Sequence, residues 1–581
     1  MSVQGVLNAS NPAGLVPRRG FGLGVRGSLS WLPLLCLVGF AVLWPVAVFQ
    51  IKSFVTGGWE ALVSAYSEAG VGRTIALTFV LAAANLVFAL VVGTGLALCT
   101  LRTPPRLRAL VTVVPLVPLI IPAIAAVIGW IFLLTPRVGY INIFLRSTGL
   151  FGDISEGPFN IYSFSGILFI SGLLFSSFIF MFVINGLRNI GGDLYEAAAV
   201  SGAKGMAIFF SVTLPQLRPS LAYGSGIVAM LALGQFSTVI LLSGPANIDV
   251  LTTKMFYKFQ VFPVPFAEVA ALGLPLLVAG GLVLAMQRWL IGDPRRYVTV
   301  GGRAQHAMSH EPAWWASATI LAYGFLSIVL PLGSLFYTSL TPFWSGVVRF
   351  DNLTLENYRS VLANPYLISA FNTSVLAAFA TVVIILPLGY WAARVLAGRT
   401  SAPASAVRLL DVLLLLPYAL PAILLGFALL FAYTQPPFML YGTKTIIIVA
   451  YCTIMIPYAT RLLLSQLLSL GLEPWEASAI SGAGPIRTFF LVTVPLMRQS
   501  ASAAAAIICI LLFQEFGVSL LVRSASVQVV GGVLFDQYLA GSYPNVAVIA
   551  LMMVAVAVTG VVIMILCGGG GALRKTGGSL R

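Results

Sequence analysis

Long apolar windows alternate with shorter polar segments along most of this chain. Each window is long enough to cross a bilayer, which takes about 20 mostly apolar residues. The twelve windows form two sets of six, at 29–51, 74–101, 109–134, 163–187, 219–243 and 266–290, and at 313–339, 370–397, 407–433, 443–468, 500–522 and 543–567. The pattern predicts an all-α polytopic membrane protein with about twelve transmembrane helices.

The second set of windows repeats the first. Glu196 to Pro215 reads EAAAVSGAKGMAIFFSVTLP, and Glu476 to Pro495, 280 positions later, reads EASAISGAGPIRTFFLVTVP. The same offset aligns GQFSTVILL from Gly234 with QEFGVSLLV from Gln514. An even number of spans in each repeat makes both copies point the same way, so we expect a pseudo-twofold axis along the membrane normal. The predicted boundaries are a tail at 1–28, repeats at 29–290 and 313–567, a linker at 291–312 and a second tail at 568–581.

Composition and charge support a membrane location. Hydrophobic residues make up 59% of the chain and charged residues only 8%, against about 25% charged in an ordinary soluble domain. The net charge of +15 comes from basic residues scattered along the chain, so no nucleic-acid surface is predicted. With the N-terminus in the cytoplasm, 22 of the 32 Lys and Arg residues fall on the cytoplasmic side. The positive-inside rule therefore favours cytoplasmic termini, and it places both matched segments in the cytoplasm.

Each matched segment lies between the fourth and fifth windows of its repeat and is too polar to be a span. Glu196 to Ala199 predict the start of a helix with an acid near its N-terminus. Gly202 then predicts a turn, a short second helix runs through Phe209, and Pro215 marks a boundary. The expected shape is a compact helix–turn–helix on the cytoplasmic face.

These residues resemble the cytoplasmic loop of the type I ABC importer permeases, written as Glu-Ala-Ala, three residues, Gly, nine residues, Ile, one residue, Leu-Pro. The first segment departs from that pattern by Val212 in place of Ile, and the second by Ser478 for Ala, Val492 for Ile and Val494 for Leu. The matching positions are Glu196, Ala197, Ala198, Gly202 and Pro215, with Glu476, Ala477, Gly482 and Pro495 in the second segment. The resemblance implies that each loop is a coupling helix seated in a separate ATPase subunit.

The same resemblance implies the partners and cofactors. Two ATPase subunits would carry ATP and Mg, and one extracytoplasmic binding protein would deliver the solute. The chain itself has no Gly-x-x-x-x-Gly-Lys-Ser/Thr phosphate loop, so we expect a transport subunit of the inner membrane that is not an enzyme and binds no cofactor.

The substrate is less well specified. Fused permeases of this shape resemble the ferric-iron and thiamine importer branches and, less closely, the polyamine or phosphonate branches. The segment FSTVILLSGPANIDVLTTKMFYKF, from Phe236 to Phe259, resembles the iron and thiamine group, and ferric iron is our first choice. A secondary transporter with six plus six helices is the alternative from another class; it would need no ATPase.

A few polar residues fall inside the predicted membrane. Glu515 is an intramembrane acid, which insertion scales put at a cost of about 2.5–3.5 kcal/mol; Gln514 precedes it, and Gln235 is its counterpart in the first repeat. These three residues either line the translocation path or its gate, or Glu515 pairs with Arg523 or caps a packing contact near the outer interface. Asn85 is interpreted as an interhelical hydrogen-bonding residue. The two histidines, His306 and His310, lie in the polar linker, and no metal site is predicted.

Overall fold

The computed structural model describes residues 30–149, 155–188, 190–291 and 312–564, and within these ranges the regular elements are helical. This confirms the predicted all-α class. The tails at 1–28 and 568–581 and nearly all of the linker at 291–312 lie outside the described residues, so the predicted domain boundaries stay predictions. His306 and His310 also lie outside them.

Helices of the first repeat are, in chain order, α1 (Trp31–Ser67), α2 (Val71–Leu101), α3 (Pro105–Val113), α4 (Ala123–Leu134), α5 (Tyr140–Ser147), α6 (Phe164–Arg188), α7 (Gly192–Val200), α8 (Met206–Ile208), α9 (Leu214–Leu233), α10 (Ser237–Ala246), α11 (Leu251–Phe259) and α12 (Phe266–Ile291). A 3-10 turn (Val114–Leu119) follows α3, and a π-turn (Phe209–Thr213) joins α8 to α9.

Helices of the second repeat are α13 (Trp314–Gly324), α14 (Leu330–Ser339), α15 (Glu356–Ala363), α16 (Pro365–Leu396), α17 (Ala404–Ala419), α18 (Ala422–Thr434), α19 (Lys444–Ser469), α20 (Glu473–Ile480), α21 (Pro485–Thr488), α22 (Val494–Phe513), α23 (Gly517–Val522), α24 (Val530–Leu539) and α25 (Tyr543–Met564). Two π-turns, Phe325–Val329 and Phe489–Thr493, lie within the first and fifth spans.

The number of spans agrees with the sequence. Among the described residues, nine helices are long and apolar enough to cross a membrane, and the number rises to 12 when each of three bent helix pairs is taken as one span. The predicted twelve apolar windows are therefore all represented.

The third span of each repeat is bent, which the apolar windows at 109–134 and 407–433 did not predict. The chain turns by 95° between Leu119 and Ala123 and by 106° between Tyr418 and Ala422. Pro122 and Pro421 stand at these bends, directly before α4 and α18. Proline has no N–H to donate and disfavours the helical region for the preceding residue, so each of these prolines favours a break in the helix.

The fifth span is also interrupted. In the first repeat, the axis bends by 47° between Leu233 and Ser237. In the second repeat, α22 ends at Phe513 and the short α23 begins at Gly517. The windows at 219–243 and 500–522 therefore each hold two helices and not one, a break that apolar composition did not predict because it carries no information on helix direction. The first helix also continues past its predicted end at 51, with non-helical φ and ψ angles at Gly58.

The two repeats exchange their first spans. Helix α1 packs on α17 and α18 of the second repeat, and α14 packs on α4 of the first. The Phe49 ring lies 5.6 Å from the Phe431 ring, and the Ser334 hydroxyl donates to the Gly129 carbonyl at 2.8 Å. Each repeat therefore contributes to the core of the other, and the two form one bundle.

Equivalent contacts recur in both repeats, as the predicted duplication requires. The N–H of Leu251 at the start of α11 donates to the Thr78 hydroxyl at 2.9 Å. In the second repeat, the N–H of Val530 at the start of α24 donates to the Ser374 hydroxyl at 2.9 Å. Each contact ties the second span to the short helix that follows the interrupted fifth span.

Candidate functional site

The two matched loops, residues 192–213 and 473–493, have the same backbone. In the first matched loop the N–H groups of Gly202 and Ala203 donate to the carbonyls of Ala199 and Ala198. The N–H groups of Gly482 and Ala483 make the equivalent bonds in the second. This is the Schellman helix end, whose turning residue has a positive φ; φ is +80° at Gly202 and +72° at Gly482. The predicted glycine turn therefore has a backbone cause.

The predicted loop residues lie at the surface of this turn. Glu196, Ala197 and Gly202 are exposed, and their counterparts Glu476, Ala477 and Gly482 have the same exposure. Ala198 is half-buried. The surface that these residues form is the same in both repeats, and we call the face of the bundle that carries both matched loops the loop face.

One local prediction for the first matched loop is wrong. Helix α7 begins at Gly192, four residues before Glu196, so Asp193 is the acid of its first turn. The predicted boundary at Pro215 is present as a change of helix type: a π-turn at Phe209–Thr213 ends there, α9 begins at Leu214, and the helical path from Met206 runs on to Leu233. The wider turn before proline accommodates a residue without an N–H. Pro495 follows an equivalent π-turn. The second arm of each loop is therefore continuous with the fifth span.

An aromatic side chain joins the first helix of each matched loop, α7 or α20, to the π-turn that follows it. In the first matched loop the hydroxyls of Thr213 and Tyr195 are 3.4 Å apart. In the second, the indole N–H of Trp475 donates to the Thr493 hydroxyl at 3.0 Å. The two arms of each matched loop are thus joined by a side-chain hydrogen bond, so we expect each loop to move with its fifth span.

Three apolar side chains stand out from each matched loop, and the sequence analysis did not single them out. Val200 and its counterpart Ile480 are 90% and 88% exposed. The other exposed positions are Met206 and Phe210 in the first loop and Ile486 and Phe490 in the second. The signal was present in the sequence, since each of these pairs is 280 positions apart and both members are apolar.

The interrupted fifth spans bring the predicted intramembrane polar residues to the middle of the bundle. Gln235 is buried, and its amide oxygen accepts a hydrogen bond from Asn85 on α2 at 3.2 Å. The Ser171 hydroxyl on α6 donates to the Asn85 amide oxygen at 2.8 Å. Asn85 thus joins the second span, the fourth span and the fifth-span break, as its interpretation as an interhelical hydrogen-bonding residue predicts.

Glu515 occupies the equivalent break in the second repeat but makes different bonds. Its carboxylate accepts from the N–H groups of Val518 and Ser519 at 2.7 and 2.8 Å, and also from the Ser519 hydroxyl. It therefore caps α23. The alternative in which Glu515 pairs with Arg523 is wrong: the Arg523 guanidinium binds both carboxylate oxygens of Asp536, at 2.6 and 2.7 Å.

Each fifth-span break lies against the third-span bend of the other repeat. The Gln514 side chain donates to the Ile120 carbonyl at 2.5 Å. A Cβ on Gly234 would lie 3.1 Å from the Cα of Pro421. The four irregular segments therefore meet at the interface between the repeats, where backbone carbonyls released by the breaks find partners.

Four buried phenylalanines close this interface, and we call them the aromatic cluster: Phe236, Phe256, Phe516 and Phe535. The rings of Phe236 and Phe516, equivalent residues of the two repeats, are stacked with their centroids 5.7 Å apart. Phe256 and Phe535 pack against them and lie 6.3 Å from each other. Offset-stacked and edge-to-face arrangements of this kind stabilise aromatic groups beyond simple burial. The sequence alignment paired Phe236 with Phe516, but it did not indicate that the two rings touch.

The aromatic cluster lies far from the loop face. Helix α9 contains 20 residues between the π-turn and the break, which corresponds to about 30 Å along the helix axis. Among the described residues, no group of three or more His, Cys, Asp or Glu side chains could hold a metal ion. The aromatic cluster therefore occupies the centre of the bundle, with Gln235, Gln514 and Glu515 next to it in the chain.

Comparison with known proteins agrees with this geometry. Residues 89–296 match the family of binding-protein-dependent transport system inner membrane components. That range covers most of the first repeat, including the first matched loop and its fifth-span break.

Curated relatives extend the similarity to both repeats. The chain is 26% identical over 486 residues to the ferric transport system permease protein FbpB of Actinobacillus pleuropneumoniae, covering 81% of this chain and 68% of the relative. It is 26% identical over 489 residues to the putative ferric transport system permease protein FbpB 1 of Haemophilus influenzae, covering 82% and 74%. It is also 26% identical over 442 residues to the thiamine transport system permease protein ThiP of Escherichia coli, covering 73% and 75%.

Proposed function

We propose that this chain, a type I ABC importer permease of fused two-repeat length in the inner membrane, moves ferric iron into the cytoplasm and is driven by two separate ATPases. One ATPase binds each matched loop, and ATP and Mg are held by those subunits. An extracytoplasmic binding protein supplies the iron at the opposite face. The loop face, both tails and the linker are then cytoplasmic.

The exposed apolar side chains of the matched loops carry this proposal. Val200, Met206 and Phe210 are exposed on the loop face, and Ile480, Ile486 and Phe490 are exposed at the equivalent positions of the second loop. Burying apolar surface contributes about 25 cal/mol per Å², and patches of this kind on a soluble face are typical of protein interfaces. Two equivalent patches support two equivalent partners, one per repeat.

The proposed coupling runs along the fifth spans. The exposed acids Glu196 and Glu476 and the glycine turns shape the docking surface, while Pro215 and Pro495 mark where each loop continues into the membrane. Because each matched loop is fastened to its π-turn, an ATPase that pulls the two loops together tilts α9 and α22. The far ends of those helices are the breaks beside the aromatic cluster.

Opening the aromatic cluster is the step that ATP must drive in this mechanism. Shifting a two-state population from 1:99 to 99:1 takes about 5.5 kcal/mol of differential binding. Closure of two ATPases around ATP, with one loop attached to each, can supply that difference. Gln235, Gln514 and Glu515 then lie beside the path that the separated rings open.

Ferric iron is preferred because the two relatives covering 81% and 82% of this chain are ferric permeases. Thiamine is the second candidate, favoured by the similarity to the thiamine permease over 73% of the chain. Within this family the binding protein largely selects the solute, so the test requires that protein.

The deciding experiment reconstitutes the permease in liposomes with its ATPase and binding protein and compares uptake of radiolabelled ferric iron and thiamine. We expect ATP-dependent iron uptake that excess thiamine leaves unchanged and that stops when the ATPase is omitted. Thiamine uptake without iron uptake would show that thiamine, and not ferric iron, is the substrate. Uptake that needs an ion gradient and no ATPase would instead indicate a secondary transporter.

A further inference from the structure

The second matched loop has an attachment to the bundle that the first lacks among the described contacts. Arg399 follows the end of α16 on the loop face. Its guanidinium carbon lies 4.3 Å from the centre of the Trp475 indole ring on α20. Trp475 is the residue whose indole N–H reaches Thr493 on the π-turn. A guanidinium over an indole face is a favourable cation–π arrangement, and indole is the best of the aromatic partners.

The same guanidinium also holds the end of the fourth span. Its Nη2 atom donates to the carbonyls of Leu467 and Leu470 at 2.7 and 2.6 Å. The last carbonyls of a helix have no partner within the helix, and a cation placed there is stabilised by both hydrogen bonding and the helix dipole. Arg399 therefore connects the end of α16, the end of α19 and the helix of the second matched loop.

The first repeat places its corresponding arginine elsewhere. Arg102 and Thr103 follow the second span of the first repeat as Arg399 and Thr400 follow that of the second. The guanidinium carbon of Arg102 lies 5.8 Å from the ring of Trp315, on the first span of the second repeat. Within the described residues, no lysine or arginine stacks on Tyr195, the counterpart of Trp475.

We propose that Arg399 is a positioning residue that clamps the second matched loop to the second and fourth spans, so that the two loops transmit motion unequally. The second loop, with spans two, four and five of its repeat, moves as one unit. The first loop is fastened to its fifth span by the Tyr195–Thr213 contact and is freer to shift relative to its second span. This inference rests on the proposed role of the loops as ATPase contacts for its functional consequence, but not for the clamp itself.

Hydrogen–deuterium exchange on the full permease in lipid nanodiscs, without any ATPase, tests the clamp directly. Arg399→Ala should raise amide exchange in residues 473–483 about tenfold, with residues 192–203 unchanged. Arg102→Ala is the matched control and should leave residues 473–483 unchanged. Unaltered exchange at 473–483 in Arg399→Ala, or an equal rise in both loops, would overturn the proposal.

Conservative variants keep the test decisive if Arg399→Ala does not fold. Arg399→Lys keeps the charge near the carbonyls but loses the planar stack, so exchange at 473–483 should rise by a smaller factor. Trp475→Phe keeps a ring under the guanidinium and loses only the bond to Thr493, and it should also give a smaller rise. A Lys variant with fully native exchange would show that charge alone holds the loop and would contradict the stacking clamp.

The functional consequence is read separately in the complete transporter. Arg399→Ala should increase the ATP hydrolysed per substrate molecule moved, while Arg102→Ala should not, because a loose loop lets the ATPase close without moving the spans. An unchanged ratio in Arg399→Ala, together with increased exchange, would overturn unequal transmission and leave the clamp standing. Failure of the permease to bind any ATPase would count against the proposed function, while the exchange result would still decide the clamp.

Discussion

The two repeats interrupt their fifth spans at equivalent positions but satisfy the break with different side chains. In the second repeat, the Glu515 carboxylate caps the helix that follows the break. In the first, Gln235 turns to the second span and accepts from Asn85. The backbone path is the same in both repeats. In the second repeat the polar residue at the break bonds to the next helix of the same span, and in the first repeat it bonds to the second span.

The two repeats therefore share the break itself, whereas the polar residue at the break has a different bonding role in each. A carboxylate accepting two N–H groups and a hydroxyl is committed to holding the backbone, and a neutral amide at the same place serves equally well as a link between spans. The apolar rings beside both residues are the part that the two repeats share.

The largest expected effect comes from that shared part. Phe236→Ala and Phe516→Ala each remove a buried ring from the aromatic cluster, at a cost of about 3–5 kcal/mol. Because the two rings stack on each other, both variants should open a leak for small ions across proteoliposomes in the absence of ATP. Ion flux into sealed liposomes measures this.

The lipid-facing variant Phe79→Ala is the control and should stay sealed, since Phe79 is among the exposed residues of α2. A leak in only one of the two cluster variants would break the equivalence of the repeats at the centre.

An intermediate effect should separate the two polar residues. Glu515→Ala removes the acceptor for two N–H groups at the start of α23; losing a helix cap costs about 0.5–2 kcal/mol, and we expect the upper end because two N–H groups and a hydroxyl lose their acceptor. Gln235→Ala removes one neutral hydrogen bond, for about 1 kcal/mol. Thermal unfolding in detergent should therefore show a larger drop in midpoint for Glu515→Ala. Glu515→Gln keeps one acceptor oxygen, so its drop in midpoint should lie between those of the two alanine variants. Equal drops for all three variants would mean that the polar residues stabilise the two breaks to the same extent.

The smallest effect concerns ion pairs outside the spans. Lys254 and Lys258 donate to Glu68 at 2.7 Å, and the hydrogen bond from Lys254, followed by that from Lys258, holds the pKa of Glu68 below its ordinary value. The stabilisation is therefore present above the ordinary Glu pKa of about 4.3 and is lost as the pH falls through the lower value in the folded protein. Glu68 is 40% exposed, so we expect less than about 1 kcal/mol.

Glu68→Gln should lower the unfolding midpoint slightly at pH 7, and the drop should shrink as the pH is lowered below the ordinary Glu pKa. A drop of the same size at every pH would show that the ion pairs do not stabilise this end of the first repeat.

Much of the architecture follows from the sequence. The number of spans, the duplication and the glycine turn of each matched loop can be predicted from the apolar windows and the repeated segment, because these features depend on local sequence. Whether a span bends, and by how much, depends on contacts with other parts of the fold. Pro122 and Pro421 signal a break, but the bends of 95° and 106° depend on the other repeat, against which the third spans pack.

The side-chain roles were less predictable for the same reason. Sequence alone left Glu515 between a pathway role, an ion pair with Arg523 and a cap, and only the fold shows that Arg523 is taken by Asp536, which is 13 residues further along the chain. Likewise, Phe256 and Phe535 join the aromatic cluster through α11 and α24, whose packing no pattern along the chain reveals.

The central claim is that each matched loop holds one ATPase, and counting bound ATPases tests it most directly. Met206→Asp and Ile486→Asp place a charge in the exposed apolar surface of one loop each, with Ser405→Asp, an exposed position at the start of α17, as the control. Native mass spectrometry of the purified complexes should find two ATPases on the wild type and on the control, one on each single variant, and none on the double variant. Two ATPases on the double variant would contradict the account.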